Sequence, residues 1–162
     1  MIITNYSFFL KLIAVVGSGL IAGVFFAFST FVMPALAKLE PAQGIAAMQS
    51  INIKAINPLF MTALFATAVV CLFLAIFSPL RWHHPTSIYL LIGSLLYIVG
   101  TIGITIVFNV PLNVALDKVA ANSIEGSQLW AKYLVNWTFW NHVRTVAAFL
   151  ATAAFAIALR LA

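Results

Sequence analysis

Acidic residues are almost absent from this chain. Only three of its 162 residues are aspartate or glutamate, and charged residues of either sign make up 7% of the total. Soluble domains contain about a quarter charged residues, so a soluble domain is excluded. None of the long apolar runs contains a carboxylate. This absence argues against a proton-relay pair of carboxylates or a carboxylate metal cage within a membrane.

Metal-binding and redox motifs are also missing. The single cysteine, Cys71, excludes an intramolecular disulfide and a redox pair. His83 and His84 lie far along the chain from His142, and the sequence has no phosphate-binding loop or nucleophile elbow. We therefore predict no metal and no cofactor. The Lys and Arg residues are scattered, which is typical of membrane flanks rather than of a nucleic-acid surface.

Hydrophobic residues make up 64% of the chain instead. Four apolar runs reach the roughly 20 residues that a helix needs to cross a bilayer. We predict a single all-α membrane domain over residues 1–162, a four-helix bundle with spans at residues 12–36, 58–80, 87–110 and 137–159. The first run is too long for the apolar part of a signal peptide and is expected to be retained.

The connections between the spans predict further helices and a topology. Apolar residues at three- and four-residue spacing favour a short interfacial helix over residues 44–54, and a second is expected over residues 129–135. An even number of spans places both termini on one side. Lys and Arg counts do not distinguish the two orientations. We expect a multi-pass protein of a bacterial inner membrane with cytoplasmic termini, because the second long connection carries acidic residues.

The two halves of the chain share a pattern. The first run ends in Val32-Met33-Pro34 and the third in Asn109-Val110-Pro111, and a more polar linker follows each. Two parallel two-helix repeats would give this pattern, and so would the general tendency of Pro and Asn to collect at helix ends. Because Pro111 cannot donate a backbone hydrogen bond, we expect the third helix to break at Val110.

Polar residues collect on one face of the fourth run. At 100° per residue this face consists of Trp137, Asn141, Arg144, Thr145, Ala148 and Thr152. Arg144 lies roughly 10 Å inside the helix, where an arginine costs on the order of 3 kcal/mol and usually faces the protein interior. Snorkelling of Arg144 to the headgroups is the alternative, but it does not account for Asn141 and Thr145.

The third run ends on the same side of the membrane, with Asn109 and Asn113 on either side of Pro111. These amides could satisfy backbone groups freed at Pro111, or they could bind the ligand of Arg144. Asn57 before Pro58, and Ser29 or Thr30 before Pro34, could add a third wall. We predict a polar-rimmed apolar pocket for a lipophilic small molecule at this interface. Its candidate lining residues are Asn109, Asn113, Trp137, Trp140 and Thr145, with Asn141, His142 and Arg144 as the candidate catalytic residues.

His142 is the one candidate for a base at neutral pH in this region. On the helical wheel it lies to one side of Asn141, and Trp140 lies to the other. A purely structural role at the interface also fits a lone histidine.

The chain resembles the anthrone-oxygenase-like membrane proteins, a family with many bacterial members of unknown function. The resemblance is carried by PLN at residues 111–113, by WTFWNHVRT at 137–145, and by GVFFAFS at 23–29 followed by VMP at 32–34. It covers nearly the whole chain.

Fungal relatives are linked to the oxidation of anthrones to anthraquinones by molecular oxygen, without a metal or flavin. The resemblance therefore implies a cofactor-independent oxygenase that acts on a lipophilic aromatic substrate. It implies that Arg144 and Asn141 stabilise the substrate anion, that Asn109 and Asn113 orient it, and that His142 acts as the base.

The alternative is a non-catalytic membrane protein, such as a transporter subunit, a lipid-binding module or an assembly factor. Glycines suited to close helix packing favour it, at positions 17 and 23 and at positions 93, 100 and 103. Four helices hardly enclose a transport path, so a transporter subunit would have to form a homo-oligomer.

Overall fold

The computed structural model of the protein describes residues 2–161, apart from the side chains of residues 2–7 and 81. Its α-helices are α1 (Ile2–Ala27), α2 (Met33–Leu36), α3 (Pro41–Ala55), α4 (Pro58–Phe77), α5 (Ser87–Leu95), α6 (Val110–Asp117) and α7 (Ile124–Arg160). Residues 2–161 contain no strand. The predicted all-helical fold is confirmed.

Four helices are long and apolar enough to cross a membrane. They are Phe8–Leu36, Pro58–Phe77, Ser87–Asp117 and Ile124–Arg160, called here the first to fourth spans. Three π-helical segments join α-helices within two of these spans. Phe28–Val32 connects α1 to α2, while Leu96–Gly103 and Thr105–Asn109 lie between α5 and α6.

The expected break at Val110 does not occur, because a π-turn makes room for the proline. The backbone N–H of Val110 donates to the carbonyl of Thr105, five residues back. This wider turn relieves the clash that Pro111 would make in a regular α-helix, and the third span continues to Asp117.

The first span also contains a π-turn directly before a proline. The N–H of Met33 donates to the carbonyl of Phe28, again five residues back, and Pro34 follows. The two halves of the chain therefore share a π-turn followed by proline and a short helix. This likeness fits the predicted pair of parallel repeats, and the duplication itself remains a prediction.

The connections are helical, as the sequence indicated, with one difference. Helix α3 covers the predicted interfacial helix between the first two spans. Residues 129–135 are also helical, but they form the early turns of α7 rather than a separate helix. Ser123 caps the start of helix α7, and its hydroxyl accepts a hydrogen bond from Gly126 N at 2.9 Å.

Each span packs against the next, and the fourth packs extensively against the first. Small residues permit two of these close approaches, since a Cβ at Gly100 would lie 2.5 Å from Ala147 Cβ and one at Gly93 would lie 2.8 Å from the Phe155 ring. One apolar core includes Phe25, and a second, rich in aromatic residues, includes Trp137. Polar side chains lie where these two cores meet.

Candidate functional site

Arg144 is buried where the fourth span packs against the first. Its side chain is 6% exposed, and its guanidinium carbon lies 4.0 Å from the centre of the Phe25 ring and 4.9 Å from that of Trp137. Aromatic faces attract cations, and the attraction is stronger away from water. The two rings therefore help to hold a positive charge inside the protein.

The hydrogen-bond partners of Arg144 are neutral. Nε donates to Asn141 Oδ1 at 2.9 Å, and Nη1 donates to Thr105 Oγ1 at 3.3 Å. The three acidic residues of the chain are exposed, at positions 40, 117 and 125. No carboxylate pairs with the guanidinium in the part of the chain that the structure describes. Such a buried charge favours an anion, or a developing negative charge, beside it.

Asn141 fixes the position of Arg144 and ties the fourth span to the first. Its Nδ2 donates to the carbonyl of Phe25 at 2.8 Å and to Ser29 Oγ at 2.7 Å, while its Oδ1 holds Arg144. Asn141 is fully buried, and both ends of its amide are used. The residues Phe25, Ser29, Thr105, Asn141 and Arg144 are called here the arginine cluster.

A row of polar residues runs along the third span at four-residue spacing. It comprises Thr101, Thr105, Asn109 and Asn113, and is called here the polar row. In a regular α-helix, each step of four residues would turn the row by roughly 40°. The π-segments hold more residues per turn, which keeps the row facing α7.

Three members of the polar row bond directly to α7. Thr105 accepts from Arg144, and Asn109 Nδ2 donates to the carbonyl of Trp137 at 3.1 Å. Asn113 Oδ1 accepts from Trp137 Nε1 and from the Tyr133 hydroxyl, each at 2.8 Å. Asn113 therefore holds the indole against which Arg144 packs.

Two buried atoms of the polar row have no hydrogen-bond partner among the described residues. They are Thr101 Oγ1 and Asn109 Oδ1, and both side chains are buried. Buried polar atoms are nearly always paired, so these atoms mark places for a water or a ligand atom. Because Asn109 Oδ1 only accepts hydrogen bonds, its partner must be a donor such as a hydroxyl.

The structure brings most of the predicted site residues together. Asn141, Arg144, Trp137 and Thr145 share the inward face of α7 that the helical wheel predicted, and the polar row brings Asn109 and Asn113 to the same region. The functional roles of these residues remain predictions.

His142 and Trp140 lie away from the arginine cluster. The side chain of His142 is exposed on another side of α7, and no hydrogen bond joins it to the cluster within residues 2–161. Trp140 stacks on Phe108, with ring centres 3.7 Å apart and an interplanar angle of 12°. This stack makes Trp140 part of the contact between the third and fourth spans.

Two residues of the cluster were not predicted. Thr105 could have been found, because it lies four residues before Asn109 and eight before Asn113 on the same row. Phe25 has no such signal, since it is one of several phenylalanines in an apolar run.

An open groove lies between α1 and α7, next to the arginine cluster. It has a volume of about 570 Å³ and apolar walls that include Gly23, Phe26 and Phe149. Thr145 is the only predicted site residue in its wall. This feature is called here the α1/α7 groove.

The fold and the site define a class of protein: an all-helical chain with four apolar, membrane-length helices around a buried arginine. The sequence model of the anthrone oxygenase family matches residues 51–154, and the chain belongs to that family. The matched part includes the polar row, Asn141 and Arg144. No curated protein and no solved structure matches the chain.

Proposed function

We propose that the protein is a cofactor-independent oxygenase that converts a lipophilic, anthrone-type aromatic into the corresponding quinone with molecular oxygen. The observation that carries this proposal is the buried guanidinium of Arg144, which no carboxylate neutralises in the described part of the chain. Membership of the anthrone oxygenase family adds the substrate class.

The reaction needs no external reductant. An anthrone has a ketone on one ring carbon and a CH₂ group opposite it, and loss of one C–H proton gives an enolate with negative charge on the ketone oxygen. The enolate carbon bonds to O₂, and the peroxide anion takes up a proton. Loss of water breaks the O–O bond and the remaining C–H bond. One anthrone and one O₂ thus give one quinone and one water.

Arg144 would stabilise the enolate oxygen. A cation placed in advance beside a developing oxyanion acts strongly where water is excluded, and the guanidinium is 6% exposed. Stabilisation of the anion also makes the C–H proton easier to remove. Asn141 would hold the guanidinium in place through Nε. Because Nη1 already donates one N–H to Thr105, Nη2 and the second N–H of Nη1 would approach the substrate.

The polar row and His142 supply the remaining roles. Asn109 Oδ1 lacks a partner in the described structure and would accept a hydrogen bond from a hydroxyl beside the ketone. Asn113 would act through Trp137, whose indole it holds. His142 is the proposed base, although its side chain is exposed away from the cluster.

The test uses protein reconstituted in liposomes and supplied with an anthrone and oxygen. Quinone absorbance and oxygen uptake are followed for the wild type, Arg144→Gln and Arg160→Gln. Since one oxyanion donor contributes roughly 10²–10³ in rate, we expect Arg144→Gln to fall toward the rate of empty liposomes. Arg160 is exposed at the end of α7, so its variant should match the wild type. A wild type no faster than empty liposomes would refute the proposal.

A non-catalytic, lipid-binding role is the second candidate, and the α1/α7 groove favours it because the groove is open and its walls are apolar. Delipidation followed by mass spectrometry distinguishes the two. One tightly retained lipid class, together with no oxygen uptake, would support lipid binding.

A further inference from the structure

We propose that the α1/α7 groove binds the planar aromatic substrate as it arrives from the bilayer, and that the hydroxyl pair of Ser29 and Thr145 separates it from the arginine cluster. This inference rests on the proposed function and names where its substrate class is held. The proposed ligand is a fused-ring aromatic with a polar edge, rather than a lipid acyl chain.

The size and floor of the groove suit a small molecule. Its volume of about 570 Å³ falls within the roughly 300–1,000 Å³ of typical ligand pockets, while a second groove, beside Phe65, measures about 220 Å³. Gly23 forms part of the larger groove, and a Cβ placed there would meet nothing within 4 Å. A flat ring could therefore approach the α1 backbone closely.

Aromatic side chains border the groove on both helices. Phe26 of α1 is 58% exposed and Phe149 of α7 is 67% exposed, although both belong to the groove wall. Aromatic rings prefer offset-stacked or edge-to-face contacts with other rings. A fused-ring ligand would gain such contacts from both walls, whereas an acyl chain would not.

Thr145 connects the groove to the arginine cluster. Its side chain lines the groove, and its hydroxyl donates to the carbonyl of Asn141 at 2.6 Å and lies 3.2 Å from Ser29 Oγ. Ser29 Oγ in turn accepts from Asn141 Nδ2. One hydroxyl pair therefore lies between an apolar groove and the asparagine that holds Arg144.

The burial of Arg144 requires such a route. The guanidinium is reached only by passage between helices, because the side chain is 6% exposed. A lipophilic substrate dissolved in the bilayer would meet the α1/α7 groove at the seam between α1 and α7. The apolar walls would hold its rings, and the hydroxyl end would receive its ketone edge.

The experiment measures binding without turnover. Anthraquinone, the proposed product, is titrated into protein in nanodiscs under nitrogen, and near-ultraviolet irradiation then cross-links the bound quinone to nearby C–H bonds. Gly23→Leu places a side chain in the groove, and its Cβ would meet nothing within 4 Å. Ala66→Leu places the same side chain at an exposed position of the second span outside the groove.

We expect saturable binding with cross-links at Phe26, Phe149 and their neighbours. Gly23→Leu should raise Kd at least tenfold, and Ala66→Leu should leave it unchanged. A second pair of variants tests binding in the groove if Gly23→Leu does not fold. Phe149→Leu removes one aromatic wall and should weaken binding, while Phe31→Leu changes an exposed ring outside the groove and should not.

The inference would be overturned if the wild type, Gly23→Leu and Phe149→Leu bound the quinone equally well. Cross-links outside the groove would overturn it too, and lipid acyl chains would then be the expected occupants of the groove. The outcome is separable from that of the proposed function. If Gly23→Leu catalyses the oxidation at the wild-type rate, substrate binding in the α1/α7 groove is refuted and the oxygenase proposal is not. If the quinone binds in the groove but the wild type oxidises no anthrone, the oxygenase proposal is refuted, while the groove is still a binding site for an aromatic ligand.

Discussion

The guanidinium of Arg144 packs on the ring of Phe25, 4.0 Å from its centre, where the fourth span meets the first. Phe25 also accepts a hydrogen bond from Asn141 through its backbone carbonyl. The same residue thus contacts the cation with its ring and, with its carbonyl, the asparagine that orients the cation. Because no carboxylate lies beside Arg144 in the described residues, these neutral contacts hold the charge in place.

Phe25→Leu should destabilise the protein through loss of this contact. A leucine keeps the site apolar but removes the ring face, and a desolvated cation–π contact contributes about 2 kcal/mol. We expect a lower midpoint of thermal unfolding in detergent, with Phe26→Leu, the exposed neighbour, close to the wild type. Equal midpoints for the two variants would show that the Phe25 ring does not stabilise Arg144.

Asn141→Leu should be more disruptive, because it removes both ends of a buried amide. The carbonyl of Phe25 and Nε of Arg144 would each lose a partner, and a buried polar group without a partner costs about 1–3 kcal/mol. Asn136→Leu is the control, since Asn136 lies on the same helix and is exposed. Thermal unfolding of both variants checks this, and similar midpoints would contradict the assigned role.

Gly100→Ala should destabilise the contact between the third and fourth spans. A Cβ at Gly100 would lie 2.5 Å from the Cβ of Ala147, and overpacking of this kind costs about 1–3 kcal/mol. The double variant Gly100→Ala with Ala147→Gly should recover most of the lost stability, because the two methyl groups exchange places. Failure of Ala147→Gly to improve the stability of Gly100→Ala would rule out the clash as the cause.

Periodicity explains which parts of the site could be predicted. Helix α7 is a regular α-helix from Ile124 to Arg160, so a wheel at 100° per residue correctly placed Asn141 and Arg144 inward and His142 to one side. The four apolar runs gave the number of long helices for the same reason. Local sequence patterns sufficed wherever the helix kept its ordinary period.

The third span was harder to predict because its period changes. A proline at position 111 indicated a break, whereas the π-turn closed by Val110 continues the helix. The same π-segments keep Thr101 and Thr105 in line with Asn109, whereas in a regular α-helix each step of four residues would turn the row by roughly 40°. Phe25 depends on packing between the first and fourth spans, which no local pattern in the sequence records.

The polar row allows a matched comparison of two threonines on one helix face. Thr101 Oγ1 is buried without a hydrogen-bond partner in the described structure, whereas Thr105 Oγ1 accepts from Arg144 Nη1 and donates to the carbonyl of Thr101 at 2.7 Å. Valine has nearly the shape of threonine and lacks the hydroxyl.

Thr105→Val should therefore destabilise the protein by about 1–3 kcal/mol, since it leaves a buried charged donor without its partner. Thr101→Val should cost less, because the Thr101 hydroxyl has no hydrogen-bond partner to lose among the described residues. Thermal unfolding of the two variants in the same detergent measures the difference. Should Thr101→Val lower the midpoint as much as Thr105→Val does, the bond from Arg144 to Thr105 would contribute no more than the contacts of the Thr101 hydroxyl, and the prediction would be wrong.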